Sequence, residues 1–293
     1  MTTAAPAKPA RRRSALGPTI VILTALVLAV FLSAGLVTEW LWFAQLEVTQ
    51  VLRTEWITRA VLFLIGAVVL GGATWLNLQL AYRHRPIYAP ATPEQANLDR
   101  YREAVEPLRR GVLIGAPVLL GLFGGLAVSS QWQAILVSLN GESFGQVDPV
   151  FGMDLSFFLF TLPALRFGVS FLMAVVFISA VAAVVTHYLY GGLQVGQGPH
   201  VSPAARIHLG VLAALFSLLI AGSYWLDRFS LLVQVGEKFD GAAYTDVSAV
   251  LPGREILAGI AVVVAVLFVV ASVRGTWRLP AVAVALMVVA GIV

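Results

Sequence analysis

Apolar residues in this chain neither alternate nor recur at helical intervals; they run on. Near-continuous apolar stretches cover about 16–42, 57–81, 112–136, 157–189, 207–226 and 256–273, and another starts at Leu279. At a rise of 1.5 Å per residue, about 20 apolar residues cross the ~30 Å hydrocarbon core of a bilayer. The pattern therefore predicts an all-α, polytopic transmembrane helix bundle with six complete spans. The seventh run is still apolar at Val293, short of a full crossing, so the chain is expected to be cut inside a helix. The fourth run is too long for one straight crossing. Its opening, "MDLSFFLFTLPALRF", predicts an interfacial helix with Pro163 at the bend into the membrane.

Charge sets the orientation of these spans. Charged residues are only 12% of the chain, about half the share of a soluble domain, and they sit between the runs. Thirteen of the 19 basic residues fall on one face, in the N-terminal tail 1–15, the 82–110 loop, Arg206, Arg274 and Arg278. The other face holds Arg53, Arg59, Arg166, Arg228, Lys238 and Arg254. The positive-inside bias places the N-terminus and 82–110 in the cytoplasm, and the loops 137–162 and 227–254 outside. This makes residues 16–293 one multi-pass transmembrane domain of a plasma-membrane protein. The net charge of +4 is thus a topology signal, and no nucleic-acid partner is expected. Within 82–110, Thr92, Pro93 and Glu94 have the chemistry of a helix start, predicting a short juxtamembrane helix. The chain shows no internal sequence repeat.

Candidate chemistry is sparse. The chain has no cysteine, which excludes disulfides, thiolate metal sites and cysteine catalysis. The outer stretch "FDGAAYTDVSAVLPGREIL" and its approach carry Asp227, Asp240, Tyr244 and Asp246. Their spacing does not supply the alternating oxygen ligands of a calcium loop. The local reading is an ordered lid in which Asp240-Gly241 turns and Thr245 or Asp246 caps a short helix. Its polar residues then bond to nearby backbone and loops, with a partner-binding surface as the alternative. Asp148-Pro149 reads as a turn, and Asp154 or Ser156 as a cap on the interfacial helix. Arg166, near an outer membrane edge, is expected to pair with an acid such as Asp148 or Asp154. His187, His200 and His208 lack metal-motif spacing and read as interfacial residues. Gly111/Gly115 and Gly121/Gly125 on the third span form GxxxG patterns, so Gly115, Gly121 and Gly125 are expected at a helix–helix contact. No cofactor and no metal are expected.

Six strings carry a resemblance: "NLQLAYRHRP" (77–86), "RYREAVEPLRR" (100–110), "FGQVDPVFGMDLSFFLFTLP" (144–163), "HYLYGGL" (187–193), "YWLDRFSLL" (224–232) and "GAAYTDVSAVLP" (241–252). Together they resemble uncharacterised protein family 0182, large bacterial and mainly actinobacterial membrane proteins. The resemblance implies about seven spans followed by a large extracytoplasmic region, and it brings no reaction and no functional residues. The expected role is non-enzymatic: a membrane anchor and assembly platform for an extracytoplasmic domain or partner protein, in the lipid bilayer, with a homo-oligomer also open. The alternative is a transporter or envelope-lipid handling component.

Overall fold

The computed structural model describes residues 16–86, 107, 109–194, 200–235, 240–276 and 278–292. The tail 1–15 and most of the juxtamembrane helix expected at 82–110 lie outside the described residues. The helices are α1 Leu16–Gln45, α2 Thr49–Arg83, α3 Arg109–Ser129, α4 Trp132–Asn140, α5 Leu162–Leu189, α6 Pro203–Ser230, α7 Leu251–Arg274 and α8 Arg278–Ile292. Two-residue strands β1 (Leu193–Gln194) and β2 (His200–Val201) pair antiparallel between α5 and α6. Among the described residues six helices are long and apolar enough to cross a membrane, and α8 is a shorter apolar one. The chain is thus a helical bundle compatible with a polytopic membrane protein. Large apolar side chains stay uncovered along the helices, as with Val68 at 70% and Leu126 at 60% exposure. Lipid, which needs no polar partner, is the solvent that suits such a surface.

Two compact units make up the chain, Met1–Ile57 and Thr58–Val293. In the first, α1 turns into α2 through Glu47, which takes a left-handed φ of 58°. Trp40 and Trp56 face each other across that turn at 6.3 Å.

In the second unit, small residues set the closest helix approaches. A Cβ built on Gly121 would lie 2.9 Å from the Ala67 carbonyl oxygen, one on Gly124 2.8 Å from that of Gly66, and one on Gly71 2.8 Å from that of Pro117. Gly125 likewise lies against Phe63. Backbone thus touches backbone between α2 and α3, which only glycine permits. Gly115 does not belong to this contact, since nothing lies within 4 Å of its Cβ position. The physical reason is helical phase: Gly115 sits two residues, about 200°, from Pro117 on the contact face.

The third apolar run also ends earlier than its hydropathy suggests. The helix stops at Ser129, and Gln131 (φ −96°, ψ 18°) breaks the chain before the separate α4. Ser130 donates its hydroxyl to the Ala127 carbonyl at 2.8 Å, offering the backbone a local alternative. The α6–α7 interface is close as well. Ala258, Ala261, Ala265 and Ser272 are buried on α7 at helical spacing, and a Cβ at Gly210 of α6 would collide with Ser272.

Two spans begin in the same way. Phe157–Thr161 and Asp246–Val250 are π-helical turns, followed by Leu162-Pro163 at the start of α5 and Leu251-Pro252 at the start of α7. The Leu162 N–H donates to the Phe157 carbonyl and that of Leu251 to the Asp246 carbonyl, five residues back in each case. Proline has no N–H to donate, so the turn before it loses an ordinary i→i−4 bond and widens. Pro163 therefore sits in the first α-helical turn of a continuous apolar segment, Phe157–Leu189, behind a π turn.

Candidate functional site

The end of α6 joins two ion pairs among the described residues of the second unit. Its last turns read "WLDRFS", placing Asp227 and Arg228 side by side. Asp227 Oδ1 pairs with Arg166 Nη2 of α5 at 2.9 Å, and Arg228 Nη1 with Glu255 Oε1 of α7 at 2.6 Å. Arg166 and Glu255 occupy the same place in their helices, three residues beyond Pro163 and Pro252. Neighbouring opposite charges on α6 thus reach opposite charges on the two flanking helices. Arg254 adds a bond from its guanidinium to the Asp227 carbonyl oxygen.

The two pairs differ in solvation. Arg166 and Asp227 have side chains 48% and 27% exposed, so water screens their attraction. The Arg228 side chain is only 9% exposed. Its guanidinium carbon stands 3.3 Å from the Trp225 ring centroid, and its Nε donates to the Trp225 carbonyl at 3.2 Å. The indole, itself half exposed, adds a cation–π contact to the ion pair.

The loop 141–156 closes over this end through its carboxylates. Asp148, buried, accepts the N–H groups of Val150 and Phe151 at 2.8 Å each. Asp154 accepts from the Ser143 hydroxyl at 2.5 Å, from the Gly145 N–H at 2.9 Å and from the Ser156 N–H at 2.9 Å. The Ser143 hydrogen bond, then those of Ser156, hold its carboxyl well below the usual carboxylate range. Phe151 carries the loop onto α6, its ring 4.8 Å from that of Phe229, and Phe157 reaches the same ring at 5.2 Å.

In the lid beyond Leu231–Val233, Asp246 is the carboxylate held locally among the described residues. Asp246 Oδ2 accepts the Ala243 N–H at 2.8 Å, while its own N–H donates to the Ala243 carbonyl at 3.0 Å. This is the reach-back half of a capping box. Thr245 makes no side-chain cap. Asp240 is exposed and shows no side-chain bond among the described residues, and Tyr244 is 86% exposed. Among the described residues the expected local bond is found for Asp246 and not for Asp240 or Tyr244. Arg166 likewise chooses Asp227 instead of Asp148 or Asp154, whose carboxylates are taken up by their own loop's amides. Among the described residues no three His, Asp or Glu side chains converge on a common point.

A second polar cluster lies at the opposite ends of α5 and α6. His208 Nε2 stands 2.8 Å from Asn77 Oδ1 of α2, and His187 Nε2 stands 3.2 Å from His208 Nδ1. With the Asn77 oxygen accepting, His208 carries its proton on Nε2 and accepts the His187 Nε2–H on Nδ1. His187, 1% exposed, then has a bare Nδ1, against which Gly192 packs. Beside it, Tyr82 takes Arg85 on its ring at 4.1 Å and Arg109 at 4.5 Å, and meets Tyr190 edge-on. By sequence these histidines read as interfacial residues, without the asparagine that joins them here. The available signal was two histidines at facing ends of one helical hairpin and an asparagine inside a neighbouring span. In the same way, the recurrence of Leu-Pro followed three residues later by a charge marked Arg166 and Glu255 as equivalents.

The model of the family described as Uncharacterised protein family (UPF0182) matches residues 16–293. A UPF0182 protein of Arthrobacter sp. (strain FB24) is 44% identical over 288 residues, covering 98% of this chain and 29% of that protein. One from Kineococcus radiotolerans is 48% identical over 267 residues, covering 90% of this chain and 26% of its own length. One from Leifsonia xyli subsp. xyli is 42% identical over 297 residues, covering 100% and 30%. The chain therefore spans less than a third of the length of these curated relatives. No solved structure matches it.

Proposed function

From the premise that this chain belongs to the Uncharacterised protein family (UPF0182), we propose that it is a non-catalytic membrane platform. Its Asp227 end faces out of the cell and seats an extracytoplasmic part of the protein or a partner protein. The observation that carries this reading is the charge chain Arg166–Asp227 and Arg228–Glu255, which fixes three helix ends in register. Partly exposed ion pairs add little net stability, and the best attested use of such charges is to specify one arrangement. A seat that must hold one geometry under load is where such specification has value. The pinned loop 141–156 extends that rigid end; on it Phe144 and Val147 stay 50% and 68% exposed, and on the lid Tyr244 stays 86% exposed. Exposed apolar and aromatic groups on a fixed frame suit a protein-binding surface.

The test places a photo-crosslinking amino acid at Tyr244, at Phe144 and, as a lipid-facing control, at Val68 in the full-length protein in cells. Adducts from Tyr244 and Phe144 to another stretch of the polypeptide or to a second protein are expected, with lipid adducts alone from Val68. Lipid adducts alone from all three positions would overturn the platform and return the reading to transport or envelope-lipid handling.

A further inference from the structure

A cleft of about 660 Å³ opens between α6, α7 and the start of α8, at the end of the bundle that carries the two histidines. Its walls change character with position. Leu209 and Ala213 of α6 and Phe268 of α7 form an apolar inner part, while Arg206, Ser272 and Thr276 stand towards the helix ends. Arg206 is held in place from behind. Its Nε donates to the Ser272 carbonyl at 3.1 Å, and its guanidinium lies on Gly275, whose φ of 73° ends α7. Among the described residues no carboxylate pairs with this cation. Ser272 contributes no free hydroxyl, because its Oγ donates to the Phe268 carbonyl at 2.7 Å. The cleft thus offers one fixed cation at its polar end and hydrocarbon contacts beyond it.

We infer that this cleft binds an anionic membrane lipid, with Arg206 taking the acidic headgroup and the Leu209–Ala213–Phe268 wall taking part of an acyl chain. Three considerations carry the assignment. A cation without a carboxylate at a membrane edge is stabilised by an anion, and the anion concentrated there is the lipid headgroup. Arginine's planar fork, once fixed by its Nε bond, leaves terminal N–H groups pre-oriented towards phosphate oxygens. The volume falls within the range of about 300–1,000 Å³ typical of small-molecule sites, enough for one chain segment beside a headgroup. A free phosphate would use the cation and leave the apolar wall unoccupied, so the wall favours the lipid.

The experiment reconstitutes the full-length protein in nanodiscs of equal phosphatidylglycerol and phosphatidylcholine, then counts retained lipids by native mass spectrometry. Retained lipid should be enriched about fivefold in phosphatidylglycerol, the scale of one basic residue at an anionic surface. Arg206→Gln should abolish the enrichment, and Arg206→Lys, which keeps the charge, should preserve most of it. Because Arg206 also caps α7, Ala213→Phe provides a variant that fills the apolar end and leaves the cation untouched. It should lower total retained lipid while the protein stays folded. Equal retention of both lipids by the unaltered protein, enrichment that survives Arg206→Gln, or total retained lipid unchanged by Ala213→Phe would overturn the inference. Loss of the enrichment in millimolar inorganic phosphate, with Ala213→Phe having no effect, would mean the site takes phosphate alone.

Discussion

Arg228 keeps its charge on a side chain that is 9% exposed, whereas its partner Glu255 is 45% exposed. The two ends of this ion pair should therefore respond unequally to mutation. Arg228→Ala removes the contact with the Trp225 ring, the bond to the Trp225 carbonyl and the ion pair together, and should cost about 2 kcal/mol. Glu255→Gln keeps an oxygen acceptor for Arg228 and removes a charge that water already solvates, so less than about 1 kcal/mol is expected. Thermal unfolding of the two variants in one detergent checks the order. Equal losses would mean that the salt bridge, and not the ring, holds the arginine. Asp148 and Asp154 serve differently from Arg228, because their partners are amides and a hydroxyl of their own loop. They fix a shape and do not join helices.

Among the elements, the α2–α3 contact shows most directly how spacing becomes packing. Gly121, Gly124 and Gly125 meet Gly66, Ala67, Leu70, Gly71 and Phe63, so the interface is a run of small residues on both helices with larger side chains folded over its edge. Gly121→Leu should destabilise the protein by about 1–3 kcal/mol, because the added side chain has only backbone to displace. Gly115→Leu, on the open side of the same helix, should leave stability nearly unchanged, since nothing lies within 4 Å of it. Thermal melts of the pair settle the matter: equal effects would place the contact on the wrong face of α3. The π turns ahead of α5 and α7 belong to the same scale. Each lets a proline start a helix without stranding its neighbours' carbonyls, and each delivers a charged residue to the end of α6.

For the whole molecule, the distribution of arginine predicts which way the bundle sits. The face carrying Arg83, Arg85, Arg109, Arg206, Arg274 and Arg278 should be cytoplasmic, and that carrying Asp227 and Asp246 external. The cysteine-free chain allows a direct check. In intact cells, an impermeant thiol reagent should label Ser248→Cys and spare Ala96→Cys, which lies outside the described residues. The reverse pattern would invert the bundle and place the proposed seat inside the cell. In the correct orientation, the lipid cleft at Arg206 opens to the cytoplasmic leaflet, where anionic lipid is concentrated.

Hydropathy alone determined the helical class of this protein and the approximate place of its long apolar helices, because a bilayer core asks one length and one polarity of whatever crosses it. Local chemistry was legible too: Asp246 bonds backbone three residues away, a distance the chain itself fixes. What sequence did not determine was which distant residues meet. Gly115 and Gly121 look alike in the GxxxG pattern, and only the phase of α3 against α2 separates them. Arg166 had several acids within plausible reach along the chain; the loop's own amides hold two of them, and α6 supplies Asp227. Asn77 and His208 lie 131 residues apart, and nothing in the spacing links them. Inside a membrane every long helix is apolar on most sides, so hydropathy carries no record of which face meets which neighbour. Close packing of small side chains and a few polar bonds supply that choice, and they act only once the helices are together.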